Sequence, residues 1–491
     1  MKKVASFIFL IFSIFLFNFA KSNVLKFENF FIDKTMRIDY FHSGDAQDEW
    51  VSLDKVYQQG IWAGSMHNLI YPFNNGHYFI KIYDAKSRSL IYSKGFNSYF
   101  GEYKTTDFAK KGIKRTFHET AIIPYPKEKI CFTIEYRGKN NDLKSLFNTE
   151  INPNGIGIIK ESLMNGVKVW EINKKGDPHK KVDLVFVGEG FRIEEQDKFR
   201  ETVDRLCQIF FEHAPYNRFK ESFNVYAVCK PSQESGTDEP GLGVFKNTSI
   251  SSSFNSLGLS RYLLTEDNKS LRDIIAHVPY DTIAIVVNSK RYGGGGIYNF
   301  YSVFTTNEKF SEYLFLHEFG HSFGGLADEY YSSSVTYTDF YPKGIEPLEP
   351  NITALLDPEN LKWKHLVTKG VKIPTPWGKE KLDKMGQEFS KDLHTLYNKI
   401  NLLKNKNASK KKIEKLQDRV ILLLKKLRIK RENFFKNNKY KDKVGAFEGA
   451  GYSPKGLFRP MLDCIMFSTR TTSYCKICEK AIERVIKYYS Y

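Results

Sequence analysis

Two histidines four residues apart, His317 and His321, lie in the run LFLHEFGHSFGGLADEYY (314–331). On a helix this spacing puts both imidazoles on one face, where they can hold a single Zn²⁺ ion. Glu318 follows the first histidine, the position of a general base for the attacking water in the H-E-x-x-H pattern. The chemistry open to such a set is zinc-assisted hydrolysis. Gly324, three residues after His321, can adopt a left-handed conformation, end the helix and turn the chain back beneath the metal. Asp328 and Glu329 then arrive where a third ligand is needed, with Asp328 the first choice. A surface helix with two incidental histidines would not explain why the glycine and the paired acids follow.

These residues need a scaffold, and the flanking sequence supplies one. EYLFL (312–316) gives the histidine helix an apolar face for burial. VDLVFVGEGF (182–191) is a continuous apolar run, as expected of a strand covered on both faces. A helical pattern (194–213), a strand (222–230), a short helix (271–278) and another strand (281–289) follow. Strands alternating with helices predict an α/β domain with a largely parallel sheet. YGGGG (292–296) lacks the Lys and Ser or Thr of a phosphate loop and is expected at the substrate side, with Tyr452 a further cleft residue to weigh against plain aromatic packing. Residues 24–150 carry short alternating runs rich in Phe, Tyr and Ile, which predict an antiparallel β-sandwich. Its histidines, His42, His67, His77 and His118, are dispersed and form no site.

At 491 residues, 41% hydrophobic and 15% aromatic, the chain can fill more than one core and is not disordered. Its formal charge of +18 is concentrated: residues 379–443 hold 21 Lys and Arg against 8 Asp and Glu, a net +13. Phe389, Leu393, Leu396, Ile400 and Leu403, then Ile413, Leu416, Val420, Leu423 and Leu427, repeat at spacings of three and four around the polar NKNASKK (405–411). This predicts a helical hairpin whose heptads close on each other, leaving it separable from the core. No aromatic stacking set accompanies the basic face, so nucleic acid is not an expected partner. Contact with anionic surfaces is. Residues 1–22, with two lysines before an apolar run and small residues at Ala20 and Ser22, have the layout of a signal peptide, which places the mature chain outside the cytoplasm, secreted or associated with the envelope. There a structural disulfide is expected in the cluster Cys464, Cys475 and Cys478, with the pairing open.

In zincins of the metzincin type a methionine on a tight turn underlies the zinc ligands. FRPMLDCIMFSTRTTSYCKIC (458–478) offers Met466, with Met461 as the alternative. VDLVFVGEGF, ESGTDEPG (234–241), the histidine segment, VGAFEGAGYSPKGLFRP (444–460) and the DCIMF to CKIC tail together resemble the secreted zinc metallopeptidase family typified by bacterial IgA-cleaving peptidases. The β-rich start resembles the N-terminal domain found with it. The resemblance implies a metzincin-type α/β zincin-like catalytic domain (165–491), preceded by an antiparallel β-sandwich domain (23–160) and interrupted by the inserted hairpin (379–443). It implies Zn²⁺ on His317, His321 and Asp328, Glu318 as catalytic base, and a protein or glycoprotein substrate such as immunoglobulin A. Two departures stand out: position 327, where metzincins place a third histidine, is Ala, and the basic insertion would sit near the cleft. The competing expectation is a glycan- or surface-binding protein with a structural zinc, against which an intact Glu318 counts.

Overall fold

The computed structural model describes residues 25–307, 309–332, 341–406 and 408–491; the leader at 1–22 lies outside them. Among the described residues, no helix is long and apolar enough to cross a membrane.

The N-terminal region is built from two four-stranded sheets. One runs Arg115–Pro126, Phe31–Gly44, Glu49–Gln59, Ile158–Ile159; the other runs Leu90–Phe96, Tyr78–Asp84, Ile130–Arg137, Leu143–Ile151. All pairings are antiparallel except that of the short Ile158–Ile159 strand. Ile38, Tyr40 and Ile123 of the first sheet meet Ile80, Ile82, Phe132 and Ile134 of the second in a common core. The other face of Phe31–Gly44 is covered in its middle. There Arg37 donates to Asp39 (2.6 and 2.8 Å) and to Asp273 (2.5 Å) of the helix Asn268–Ile275, so this sheet is roofed by the C-terminal region through a buried polar seam.

The C-terminal region centres on a six-stranded sheet in the order Gly294–Ile297, Tyr301–Thr305, Thr282–Val287, Val182–Glu189, Phe223–Cys229, Lys168–Asn173. The inner four strands are parallel and the two edge strands antiparallel. The apolar run from Val182 follows from this position. Val182, Leu184 and Phe186 enter one core, while Val185 and Val187 enter another on the opposite face. The first core takes in the helices Gln196–Glu212, Ser311–Ser322 and Lys476–Ser490. The second is closed by Asn268–Ile275 and by Tyr99, Phe100 and Tyr103 of the N-terminal region.

A second seam joins the regions beside the glycine-rich edge. The Asn97 N–H donates to Tyr298 O (2.9 Å), Asn299 Nδ2 donates to Gly95 O (2.7 Å), and the Tyr71 and Tyr298 hydroxyls are hydrogen-bonded.

Two 27-residue helices, Lys379–Asn405 and Lys410–Lys436, pack along one another. Their outer turns are solvent-exposed but their roots are not. Leu382 and Phe435 belong to the same core as the histidine helix, with Phe435 6.0 Å from the Phe467 ring and under the Arg470 guanidinium. The heptad pattern had suggested a separable segment; the aromatic pair at its base makes excision from Gly378 to Val444 a core deletion instead.

Candidate metal centre

The helix Ser311–Ser322 is two-faced. Phe315 and Phe319, four residues apart, pack on Phe186, Phe304 and Phe210, and this burial fixes the helix against the sheet. His317, Glu318 and His321 lie on the side lining a cleft of about 1280 Å³. The helix approaches its neighbours closely because two glycines allow it. A Cβ on Gly296 would stand 2.4 Å from Glu318 O and 2.9 Å from His321 Cβ. At Gly320, a Cβ would come within 3.0 Å of both Met466 Sδ and the Tyr474 ring. Met466 thus lies beneath the helix, in the turn where Phe467 N–H donates to Cys464 O. Gly324 is not the left-handed residue; that role falls to Gly325 (φ +61°), while Gly324 is needed for close approach to Gly320 O and Ile482.

The turn brings three ligand atoms together. His317 Nε2 and His321 Nε2 are 3.2 Å apart, and Asp328 Oδ1 lies 3.1 and 3.4 Å from them. A tetrahedral ion holding its ligands at about 2.0–2.1 Å sets them about 3.3 Å apart, so the triangle has the size zinc requires. Tautomers agree. His321 Nδ1 contacts Leu326 O at 2.6 Å and His317 Nδ1 contacts Ile465 O at 3.1 Å, and carbonyls only accept. Each Nδ1 therefore carries the proton and each Nε2 lone pair points at the other and at a carboxylate oxygen that is buried without a hydrogen-bond partner. Three electron-rich atoms at this distance call for a cation between them. The site favours positive charge: burial alone would lower His321, but the Asp328 carboxylate pushes it up to about 9. Burial raises the Glu318 carboxyl, with the two imidazoles opposing. This is the direction a general base working near neutrality needs.

The acid pair divides. Asp328 faces the histidines, its Oδ2 accepting a hydrogen bond from the Tyr452 hydroxyl. Glu329 points the opposite way, into the C-terminal cysteines, with its N–H donating to Met466 O (2.8 Å). Asn351 grips the segment between them. It accepts from Ala327 N (2.8 Å) and donates to Ala327 O (2.9 Å) and Glu329 Oε1 (3.0 Å). Nothing in the sequence around Asn351 marks it. Tyr452 had a visible signal: it stands at φ +61° beside Gly449 and Gly451, both left-handed, in a turn only a glycine-rich segment can make.

Gly294–Ile297 is an edge strand, and Gly294 and Gly296 line the cleft as expected of the substrate side. Asn75, Asn97 and Glu102 of the N-terminal region contribute a second wall, and Leu424, Arg428 and Arg431 of the basic helices a third. The expected disulfide is absent: all six cysteines are unbonded, with Cys464–Cys478 and Cys475–Cys478 Sγ separations of 3.8 and 3.5 Å against about 2.05 Å for a bond. The sulfurs converge on Glu329 instead of pairing.

Residues 170–486 match the family described as IgA Peptidase M64, and residues 26–148 match the Peptidase M64 N-terminus. No curated protein matches the chain. The chain belongs to the M64 peptidase family, with the catalytic domain preceded by the family's N-terminal domain.

Proposed function

We propose that this M64 peptidase is an exported, zinc-dependent, metzincin-type endopeptidase that cuts extended segments of extracellular glycoproteins, immunoglobulin A among them. The observation carrying the reading is the triangle of His317, His321 and Asp328 with Glu318 beside it in an open cleft. A structural site has no use for a general base or for access to solvent, which disfavours a purely binding role. The leader-like residues 1–22 support export.

When bound, zinc supplies Lewis acidity, acidifying water and polarising the scissile carbonyl. His317 and His321 hold it through Nε2, with their Nδ1 protons fixed on Ile465 O and Leu326 O. Asp328 adds the charge, and Tyr452 orients its carboxylate. Glu318 takes a proton from the attacking water and passes it to the leaving amine. Gly294 brings the edge strand against Glu318, which limits the positions its carboxylate can take. The basic helix wall favours acidic partners such as sialylated chains.

Glu318→Gln tests the mechanism. It should retain zinc at the wild-type stoichiometry while cleavage of a proteome-derived peptide library disappears, matching the wild-type protein treated with chelator. Retained hydrolysis by this variant would sink the assignment.

A further inference from the structure

Glu329 and three cysteines lie on the far side of the histidine triangle, and the proposed hydrolysis uses none of them. We propose that Glu329, Cys464, Cys475 and Cys478 form a second, structural zinc site. One ligand atom from each residue falls within 4.8 Å of all the others. Around a tetrahedral zinc with bonds of about 2.3 Å to sulfur and 2.0–2.2 Å to oxygen, sulfurs stand about 3.75 Å apart and sulfur and oxygen about 3.5 Å. The Sγ separations of 3.5 and 3.8 Å, and Glu329 Oε1 at 3.3 Å from Cys478 and 3.9 Å from Cys475, scatter about those values. Sulfurs at these distances are too far apart to be bonded and are close enough to share an ion.

The surroundings fit a cation. Glu329 is fully buried and its Oε2 has no hydrogen-bond partner, a costly state for a carboxylate unless a positive charge compensates it. Cys475 caps the helix Lys476–Ser490 and Cys478 is its third residue, so the C-x-x-C pair sits where backbone N–H groups favour thiolates. The Cys475 N–H points at Cys464 Sγ (3.2 Å). Buried Arg459, whose charge acts on Glu329, offsets the excess negative charge of three thiolates and a carboxylate around a divalent ion. All four ligands are at most 4% exposed, which leaves no open position for water or substrate and makes the site structural.

Its position explains what it would stabilise. Glu329 adjoins Asp328, and Cys464 immediately precedes Ile465, whose carbonyl orients His317, and Met466 beneath the histidine helix. One ion would tie the acidic segment, the methionine turn and the C-terminal helix together behind the catalytic cluster.

The experiment measures metal per chain on the purified full-length protein, together with the cobalt spectrum. Two zinc ions per chain are expected, falling to one in His317→Ala/His321→Ala and to one in Cys475→Ser/Cys478→Ser. Reconstitution of the unmutated protein with Co²⁺ should give a sulfur-to-cobalt charge-transfer band that persists in the histidine double variant, a readout that needs neither activity nor a stable cysteine variant. Alkylation under denaturing, non-reducing conditions after chelation should label all six cysteines. A single zinc per chain without the charge-transfer band, or only four labelled cysteines because two cluster thiols are joined, would overturn the site.

Discussion

Replacing Tyr452 by Phe removes one hydroxyl and isolates how the third ligand is held. Asp328 Oδ1 lies 3.1 and 3.4 Å from the two imidazole nitrogens, and this depends on Oδ2 being fixed from behind. The Tyr452 hydroxyl, 124 residues away in sequence, does this by donating to Oδ2. A hydrogen bond to a charged acceptor contributes about 1.5–3 kcal/mol, or roughly 10- to 100-fold in a binding constant. Tyr452→Phe should weaken zinc binding by about tenfold, toward the lower end of what outer partners of metal ligands contribute. The ring, packed 5.3 Å from that of Tyr330, remains, so folding should not change. Competition against a fluorescent chelator gives the zinc dissociation constant, and circular dichroism checks the fold. Unchanged zinc affinity in Tyr452→Phe would refute the reasoning, because Asp328 would then be positioned without help.

Gly294→Ala would bring a Cβ to 2.9 Å from Glu318 Oε1 and 3.0 Å from Val303 O. Displacing the base should lower kcat by about 10- to 100-fold with zinc content unchanged, as a kinetic and metal assay would show. Asp183 is buried with an unpartnered Oδ2, and burial together with Asp281 raises its carboxyl well above the ordinary range. The folded chain then holds a proton the unfolded chain releases near pH 4, so this group's contribution to stability falls as pH rises from there. Asp183→Asn should therefore raise the melting temperature at pH 8, corresponding to about 1–3 kcal/mol, with the gain shrinking toward pH 5. A gain independent of pH would count against it. Arg428→Ala/Arg431→Ala removes charge from the cleft wall. It should slow cleavage of acidic peptides at 0.1 M salt, where the Debye length is about 10 Å, and match wild type at 1 M, where it is about 3 Å; neutral peptides should show no difference.

The parts of the site that were legible in the sequence are those encoded by local geometry. His317 and His321 share a helix face because of their spacing alone, and the Val182 run announces a doubly covered strand. What escaped depends on chain meeting distant chain. Asn351 reaches the acid pair only after the segment 341–354 has folded beside it, and its residue type is an ordinary one; Tyr452 is a cleft candidate in the sequence, but its hydrogen bond to Asp328 depends on the segment 444–459 arriving there. Asp328 and Glu329 look equivalent in sequence. Only the chain's course beyond Gly325 sends one to the histidines and the other to the cysteines. Two adjacent glycines offer no local way to choose the left-handed one, which is Gly325 and not Gly324. Cysteine spacing gives proximity without distance, so it does not separate a disulfide from unbonded thiols. Heptads describe how the basic helices meet each other and say nothing of Leu382 and Phe435 at their roots.

The seam at Tyr298 bears on inheritance and processing. Strand Leu90–Phe96 is hydrogen-bonded to the residues immediately after the glycine-rich edge, and Asn75, Asn97 and Glu102 form part of the cleft. A protease that nicked the mostly exposed stretch 152–167 would therefore not liberate a working catalytic fragment; both pieces should co-elute and stay active together. Likewise, a recombination event that supplied a foreign N-terminal domain would leave Tyr298 and Asn299 without the partners they have here. The two family segments match separately, at 26–148 and 170–486, yet both contribute walls to the same cleft.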